Sequence, residues 1–423
     1  MYISKVEIEN FRSISKLAIE FPKDNLAGWH VVIGDNGSGK TSFVRAVAMA
    51  LIGRSEIQAL RIPLKSYIAK NSNSGSSGLE LYKSQEYDLL NNGVDTGPIV
   101  VSTILMEKFE EDGHIFISNS HGHFRESKDF RYSEGMGGFS ASFGPYRRFS
   151  GGNVEREKAF LNYPRLASHL SAFGEDVALT EALEWLQQLQ YKNLEKDEKA
   201  SKVLDGIKKF INEGDLLPHG AKIHKIGSEG VFFIDGNGLE IPVTELSDGY
   251  RSVLSMTFEL IRQMVYVYDE QKVFAKIWEG KFIIDLPGVV LIDEVDAHLH
   301  PTWQVRIGEW FTKYFPKLQF IVTTHSPLVC RAAEKGTIWR LPSPGSDEEA
   351  KEITGIEKKR LVYGNVLDAF GTEVFGENVT RSREGHELLS EMAMLNVKSV
   401  RGAISEEEKS RLNELRAILP TES

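Results

Sequence analysis

The stretch GDNGSGKT, residues 34–41, constrains the fold of this chain more than any other segment. It matches the pattern G-x-x-x-x-G-K-[ST] and lies between the strand pattern GWHVVIG and the helical pattern KTSFVRAVAMALIG. Glycines at such a junction expose backbone N–H groups, and the helix N-terminus adds positive potential, so we expect the loop to hold phosphate. The alternative is a glycine-rich turn that matches by chance, which the flanking strand and helix disfavour. The segment therefore predicts an α/β domain that binds a nucleotide.

Positions within this loop have distinct expected roles. Lys40 is expected to bridge the β- and γ-phosphates of ATP, and the Thr41 hydroxyl to bind Mg²⁺. The residues expected to contact ATP here are Asp35, Asn36, Gly37, Ser38, Gly39, Lys40, Thr41 and Ser42.

Two buried strand patterns end in side chains that suit phosphate chemistry. VVLIDE, residues 289–294, ends in two carboxylates. We expect Asp293 to hold Mg²⁺, directly or through water, and Glu294 to orient and polarise the attacking water. A second pattern, FIVTTHSP, delivers His325, which is expected to contact the γ-phosphate or the same water. The alternatives are a solvated acidic turn and a structural histidine, and only the presence of the phosphate loop disfavours them.

A further turn, LSDGYRS at residues 246–252, precedes a long apolar-rich helical pattern. In one interpretation Ser247 or Asp248 simply caps that helix, while Gly249 eases the turn. In the other, the three residues form an anion site at a helix start and meet a phosphate that arrives from outside. Taken alone, the turn favours the first interpretation.

The four elements together resemble the ABC-type ATPase heads of the SMC, RecF and OLD families. The resemblance implies that LSDGYRS is the signature motif, which caps the γ-phosphate held by the phosphate loop of another subunit. ATP would thus join two copies head to tail, with two composite sites. It also implies that Arg12 of NFRS lies by the nucleotide and that DAHLHP, residues 296–301, contacts the partner head.

Within this group, FGPYRRF, LTEALEWL and LSDGYRS look most like the ATPases of bacterial anti-phage systems. Among them the chain resembles Septu-type ATPases, which work with a separately encoded HNH nuclease, and related ATPases serve in retrons or beside Toprim nucleases. The resemblance implies an ATP hydrolase that controls a partner nuclease. The first alternative is a RecF-like repair ATPase that acts directly on DNA. A transporter subunit is disfavoured because the expected aromatic residue is missing and the helical insertion is too large.

Three departures from these families matter. Asp248 stands where many relatives have a second glycine, and we expect its side chain to turn away as an N-cap. The segment FGPYRRF occupies roughly the position of the glutamine loop but contains no glutamine. The helical insertion, at about sixty residues, is too short for an SMC-length coiled coil.

The predicted fold class is α/β: an ABC-type ATPase head, with a mixed sheet around the phosphate loop, an antiparallel β subdomain, a helical insertion and a C-terminal helical segment. The expected boundaries place the two halves of the head at 1–152 and 221–345, the insertion at 153–220 and the last segment at 346–423. The Ser/Gly/Asn tract at 71–78 is expected to be a mobile surface loop.

Composition limits the partners and the compartment. A net charge of −10 argues against a protein coated with basic patches, so any DNA or RNA contact would use one face. Arg147 and Arg148 are the best candidates for that contact, and a solvated arginine pair is the equal alternative. No targeting or membrane segment is recognised, and the lone Cys330 excludes an internal disulfide, so a cytoplasmic location is expected. The chain carries neither an HNH pattern nor the acidic set of a Toprim nuclease.

Overall fold

The computed structural model describes residues 1–60, 62–84, 87, 99–108, 115–118, 138–147, 163–174, 180–214, 216–346, 348–365 and 383–419. Its strands are β1 Tyr2–Phe11, β2 Ile14–Glu20, β3 Gly28–Ile33, β4 Ser74–Tyr82, β5 Ile99–Lys108, β6 Ile115–Ser118, β7 Ser140–Phe143, β8 Lys222–Gly227, β9 Gly230–Ile234, β10 Glu240–Pro242, β11 Gly288–Ile292, β12 Leu318–Thr324, β13 Ile338–Arg340 and β14 Lys351–Glu352. Its α-helices are α1 Lys40–Ile52, α2 Arg54–Ile57, α3 Pro164–His169, α4 Thr180–Leu194, α5 Glu198–Glu213, α6 Asp248–Tyr268, α7 Glu270–Trp278, α8 Pro301–Tyr314, α9 Gly355–Tyr363, α10 Arg383–Val400 and α11 Glu406–Ile418. The chain divides into two compact units, Met1–Tyr363 and Gly364–Ser423.

A six-stranded sheet at the centre of the first unit positions the site. Its order is β14-β13-β3-β12-β11-β7, with parallel pairing throughout except between β13 and β14. Every residue of β11 and β12 is buried, which explains their nearly continuous apolar sequences. Since parallel strands end at the same edge, the segments that follow β3, β11 and β12 meet there.

A five-stranded antiparallel sheet, β2-β1-β4-β5-β6, lies on the other side of α1. Helix α1 packs on strands of both sheets, so nearly all of its residues are buried and its sequence is apolar on all sides. The two sheets are also joined directly by Gln319 of β12. Its amide group accepts from the backbone N–H of Ile3 at 2.6 Å and donates to the carbonyl of Ile3 at 2.8 Å.

The prediction of a mobile loop at 71–78 was wrong. Residues from Ser74 onward form β4, the central strand of the antiparallel sheet, paired with β1 and β5. A Cβ on Gly75 would lie 2.6 Å from the backbone oxygen of Asn10, and Ser77 is buried. Small side chains are needed here because the strand is covered closely, so its composition resembles that of a flexible linker.

The other predicted elements follow the sequence patterns. The helical pattern after Pro164 forms α3, α4 and α5, and the short β segment that follows forms the antiparallel sheet β10-β9-β8. Arg262 of α6 binds Glu181 of α4 and Glu259, both within 2.8 Å, and so ties the insertion to the long helix. Residues 110–114 (EEDGH) and 148–152 lie outside the described residues. The predicted domain boundaries stay predictions.

The described part of the second unit is a pair of helices. Met392 and Leu395 of α10 pack against Leu412 and Leu415 of α11, so the apolar faces of these helices contact each other. Ser405 and its helix partner Glu408 form a capping box at the start of α11. Across the described residues of both units, no helix combines the length and apolarity needed to span a membrane.

Two buried histidines are expected to make the first unit sensitive to acid. The ring of His30 donates from Nε2 to the carbonyl of Leu26 and accepts at Nδ1 from the backbone N–H of Thr337, which is the pattern of a neutral imidazole. Burial lowers the pKa of His30 to about 4 and that of His169 to about 3.

A histidine in the unfolded chain binds a proton near pH 6.5, whereas these two buried histidines stay neutral at that pH. Their contribution to the free energy of unfolding is therefore complete above pH 6.5 and is lost as the pH falls toward their lowered pKa values. We expect the free energy of unfolding to fall as the pH decreases from about 6.5 toward 4, measured by urea unfolding at a series of pH values. His169→Asn should flatten this dependence, whereas the exposed control His224→Gln should leave it unchanged. If the free energy of unfolding depended on pH equally in both variants, His169 would not be a source of the acid sensitivity.

Candidate functional site

The phosphate loop is built on glycines whose positions tolerate no side chain. Gly37 and Gly39 have φ values of 84° and 98°, and Gly39 is the N-cap of α1. A Cβ on Gly34 would lie 2.5 Å from the Ser38 Oγ. The Lys40 Nζ donates to the carbonyls of Gly34 and Asp35 at 2.7 and 2.9 Å, so the ammonium lies over the loop.

One hydroxyl in this loop fits a phosphate ligand. The Ser38 Oγ is buried and has no hydrogen-bond partner among the described residues, although a buried hydroxyl normally has one. Phosphate oxygens in the glycine cradle would supply an acceptor for this hydroxyl and for the N–H groups that start α1. The loop therefore has the donors that a bound triphosphate requires.

The carboxylates that follow β3 and β11 affect the pKa of Lys40 in the phosphate loop. Burial lowers the pKa of Lys40, and the negative charges of Glu294, Asp293, Asp35 and Asp296 oppose that effect. The four carboxylates are therefore close enough to the ammonium to stabilise its charge. The fold thus brings the phosphate loop and the acids after β11 to the same edge of the sheet, as their sequence order predicted.

Two threonines at the end of β12 hold the acidic segment. Thr323 Oγ1 donates to the Asp293 Oδ1 at 2.6 Å and accepts from the backbone N–H of Glu294 at 2.8 Å. The next residue, Thr324, donates to Asp296 at 2.6 Å. Sequence reasoning assigned no role to these hydroxyls, although the pair directly before His325 in TTHSP was an available signal.

Glu294 has an unusual backbone conformation. Its φ of 46° lies in the left-handed region, which non-glycine residues adopt rarely, and its side chain is half-buried. Such a conformation is strained by about 1–3 kcal/mol and persists only where surrounding contacts hold it. The strain therefore marks Glu294 as a residue whose placement the fold enforces, which supports the role predicted for it.

His325 and Arg12 occupy two further positions around the loop. His325 directly follows β12, next to β3 in the sheet, and its side chain is exposed. The guanidinium of Arg12 packs 5.2 Å from the ring centre of Tyr67, and the neighbouring Ser13 lies against Gly39 of the phosphate loop. Both positions are compatible with the predicted nucleotide contacts, which stay predictions.

The signature turn, residues 246–252, does not form the side-chain caps that its sequence predicts. Ser247 is the exposed N-cap of α6, but its side chain makes no capping hydrogen bond. The prediction that Asp248 is an N-cap was wrong. Asp248 lies in the first turn of α6, and its side chain binds Arg251. A Cβ on Gly249 would lie 3.3 Å from the His298 carbonyl, so the turn packs on the loop predicted to face a partner.

Arg147 is not an exposed nucleic-acid contact. It is buried, and its guanidinium donates to the carbonyls of Gly144, Asp293 and Glu294 at 2.9, 2.7 and 3.0 Å. Burial lowers its pKa to about 10. The sequence predicts a surface arginine pair here because no sequence pattern indicates the carbonyls that surround Arg147. Arg148, the other half, lies outside the described residues.

A family model described as "AAA domain, putative AbiEii toxin, Type IV TA system" matches residues 30–331. That range covers most of the chain and includes the phosphate loop, the signature turn, both strand-end acids and His325. The chain belongs to this AAA-domain family.

This AAA-domain protein is similar to two curated relatives and to one solved structure. It is 27% identical over 340 residues to the Septu protein PtuA of Bacillus mycoides, a match that covers 80% of this chain and 40% of PtuA. It is 34% identical over 122 residues to the retron Ec83 probable ATPase of Escherichia coli, covering 29% of this chain and 21% of that protein. The chain thus spans two fifths or less of the length of these relatives.

The solved structure is that of an Smc head bound to the C-winged helix domain of ScpA. The match has a TM-score of 0.50 and 17% identity and covers 84% of this AAA-domain chain and 98% of the Smc head. At that identity the match shows the fold alone, and the fold is the predicted one. The resemblance to ABC-type ATPases of the Septu kind is therefore confirmed.

Proposed function

We propose that this chain hydrolyses ATP at composite sites formed by two copies arranged head to tail. The observation that carries the proposal is the start of α6, where the N-cap residue Ser247 is exposed and its side chain makes no capping hydrogen bond. An uncapped helix N-terminus with a neighbouring hydroxyl is an anion site. The γ-phosphate on the Lys40 loop of a second copy is the anion that completes it.

Residues of the loop and of β11 supply the other contacts in this proposal. Lys40 and the Ser38 hydroxyl hold the phosphates, and Thr41 and Asp293 would hold Mg²⁺, which prefers such oxygen ligands. A Mg²⁺ ion held there would supply positive charge against the negative charge that develops on the transferred phosphoryl group. Asp293 is almost fully buried, and Thr323 binds its Oδ1, which leaves the other carboxylate oxygen as the candidate ligand for the metal.

Glu294 orients the attacking water in this scheme and accepts its proton. Its backbone N–H is held by Thr323, which limits the positions that the carboxylate can take. His325 follows the adjacent strand and donates to the γ-phosphate or to the water. Arg12 contacts the nucleotide from the turn beside Gly39.

We further propose that hydrolysis controls a separate effector in anti-phage defence, an HNH or Toprim nuclease. The similarity to a Septu protein and to a retron ATPase supports this assignment. The RecF-like alternative, direct action on DNA, loses its strongest candidate contact because Arg147 is buried. Co-purification of the chain with nucleases of each class, with and without ATP, tests the effector.

Replacing Ser247 by arginine tests the composite site. The long cationic side chain would fill the space in front of the α6 N-terminus while leaving the phosphate loop intact. We expect ATP binding to survive and both ATP-driven association and hydrolysis to be lost, measured by calorimetry, light scattering and phosphate release. The control Ser201→Arg lies on the exposed face of α5 and should behave as the wild type. Undiminished turnover by monomeric Ser247→Arg would contradict a composite site.

A further inference from the structure

The guanidinium of Arg147 links two functional segments that are distant in the sequence. Arg147 follows β7, whose last residue accepts from the backbone N–H of Asp293 at 2.8 Å. From this position the side chain reaches the acidic loop after β11 on one side and helix α6 on the other. Among the described residues, its five hydrogen bonds use acceptors in these segments and the carbonyl of Gly144.

On the first side, Arg147 holds the strained backbone of Glu294. The left-handed conformation of Glu294 turns consecutive carbonyls toward one point. The guanidinium donates there to the oxygens of Asp293, Glu294 and Val295 at 2.7, 3.0 and 3.4 Å. Thr323 binds the N–H of Glu294, so the peptide groups on both sides of its Cα are fixed. A side chain on so constrained a backbone has little freedom of direction.

On the second side, Arg147 holds the beginning of α6. Its Nε donates to the Ser252 Oγ at 3.1 Å, and Ser252 is 1% exposed. Ser252 lies in the same helix start as Ser247, the residue proposed to meet a partner's phosphate. A shift of this helix start therefore moves an acceptor of the same guanidinium that holds Glu294.

We propose that Arg147 is a positioning residue that couples the signature turn of each chain to its own catalytic carboxylate. The proposal rests on the composite sites proposed above. In a head-to-tail pair, the Ser247 turn of one chain serves the nucleotide of the partner, whereas its Glu294 serves its own nucleotide. Arg147 thus connects the two sites, so that capture of a phosphate at one site sets the water-orienting acid at the other.

The chemistry of arginine suits this connection. A planar guanidinium offers five N–H donors in fixed directions, whereas the ammonium of lysine is a single point with three. The negative charges of Asp293, Asp296 and Glu294 stabilise the cation in its buried position. Arg147→Lys therefore keeps the charge but cannot reach the three carbonyls and Ser252 together.

Hydrogen exchange of the nucleotide-free full chain tests the link without relying on ATP hydrolysis. Arg147→Lys should accelerate amide exchange both at residues 294–297 and at 249–253. The Ser252 hydroxyl accepts from Arg147 and forms no hydrogen bond with the acidic loop among the described residues. Ser252→Ala should nevertheless accelerate exchange in both segments, because it releases one end of the guanidinium. The control Arg262→Lys, a half-buried arginine farther along α6 that binds Glu181 and Glu259, should leave amide exchange at residues 294–297 unchanged. Unchanged exchange at 294–297 in Ser252→Ala would overturn the proposal.

Steady-state kinetics add a second test. Arg147→Lys is expected to lower kcat by roughly 10²-fold, the loss typical of a catalytic group displaced by about 1 Å, while the KM for ATP stays unchanged. Ser252→Ala should reduce the Hill coefficient for ATP hydrolysis toward one. A raised KM with unchanged kcat would overturn the positioning role. Absence of hydrolysis by the wild type would overturn the proposed function, while joint acceleration of exchange would still support the Arg147 link.

Discussion

Glu294→Gln is expected to bind ATP as tightly as the wild type and to hydrolyse it about 10²–10⁴-fold more slowly. Glutamine keeps the size of the side chain and its hydrogen bond to water but cannot accept the proton. The backbone at this position should be unaffected, because Thr323 and Arg147 hold peptide groups and not the carboxylate. Since composite sites would then stay loaded, the variant should also accumulate ATP-bound dimers.

Single-turnover phosphate release and light scattering with ATP measure both effects. The matched control is Glu309→Gln, which removes one carboxylate from the exposed face of α8 and should hydrolyse ATP as the wild type does. Normal turnover by Glu294→Gln would assign the base to another residue. Slow turnover without dimers would support Glu294 as the general base but contradict the head-to-tail association.

Lys40→Ala is expected to abolish detectable ATP binding in calorimetry. The ammonium is the only lysine nitrogen held over the phosphate loop among the described residues, where it donates to the carbonyls of Gly34 and Asp35. Without it, those carbonyls would face the phosphates directly and repel them, so the loop would lose its main cation and gain unfavourable dipoles.

The control for this variant is Lys16→Ala, an exposed lysine of β2. Both variants should show a folded far-ultraviolet spectrum, which separates loss of binding from loss of structure. Unchanged ATP affinity of folded Lys40→Ala would remove the nucleotide site from this loop, and with it the function proposed above.

The central part of the fold could be predicted from the sequence because its strands are apolar runs next to recognisable loops. The burial of β11 and β12 on both faces leaves a continuous apolar sequence, and the residues that follow them carry the expected acids and His325. Strand β4 could not be predicted in this way. Its glycines and serines fit under α1, and only the packing distinguishes such a strand from a linker.

The positions of the reactive groups could be predicted better than the groups that hold them. Asp293 and Glu294 were found by their place after a strand, whereas Thr323, Ser252 and the buried Arg147 act through contacts between distant segments. A pair of arginines before FSGG has the sequence signature of surface residues. The partners of Arg147 are mainly backbone carbonyls, which every residue carries, so the sequence has no pattern that could reveal them.

The order of strands in the central sheet has a consequence for how this protein is made. Strand β3, which leads into the phosphate loop, pairs on one side with β12 and on the other with β13, about three hundred residues later in the chain. A ribosome that has synthesised only the first half has therefore delivered the loop sequence without either of its neighbouring strands. We therefore expect the phosphate loop to gain both neighbouring strands only after synthesis through Arg340, and chains that stop earlier to lack the proposed ATP-dependent assembly.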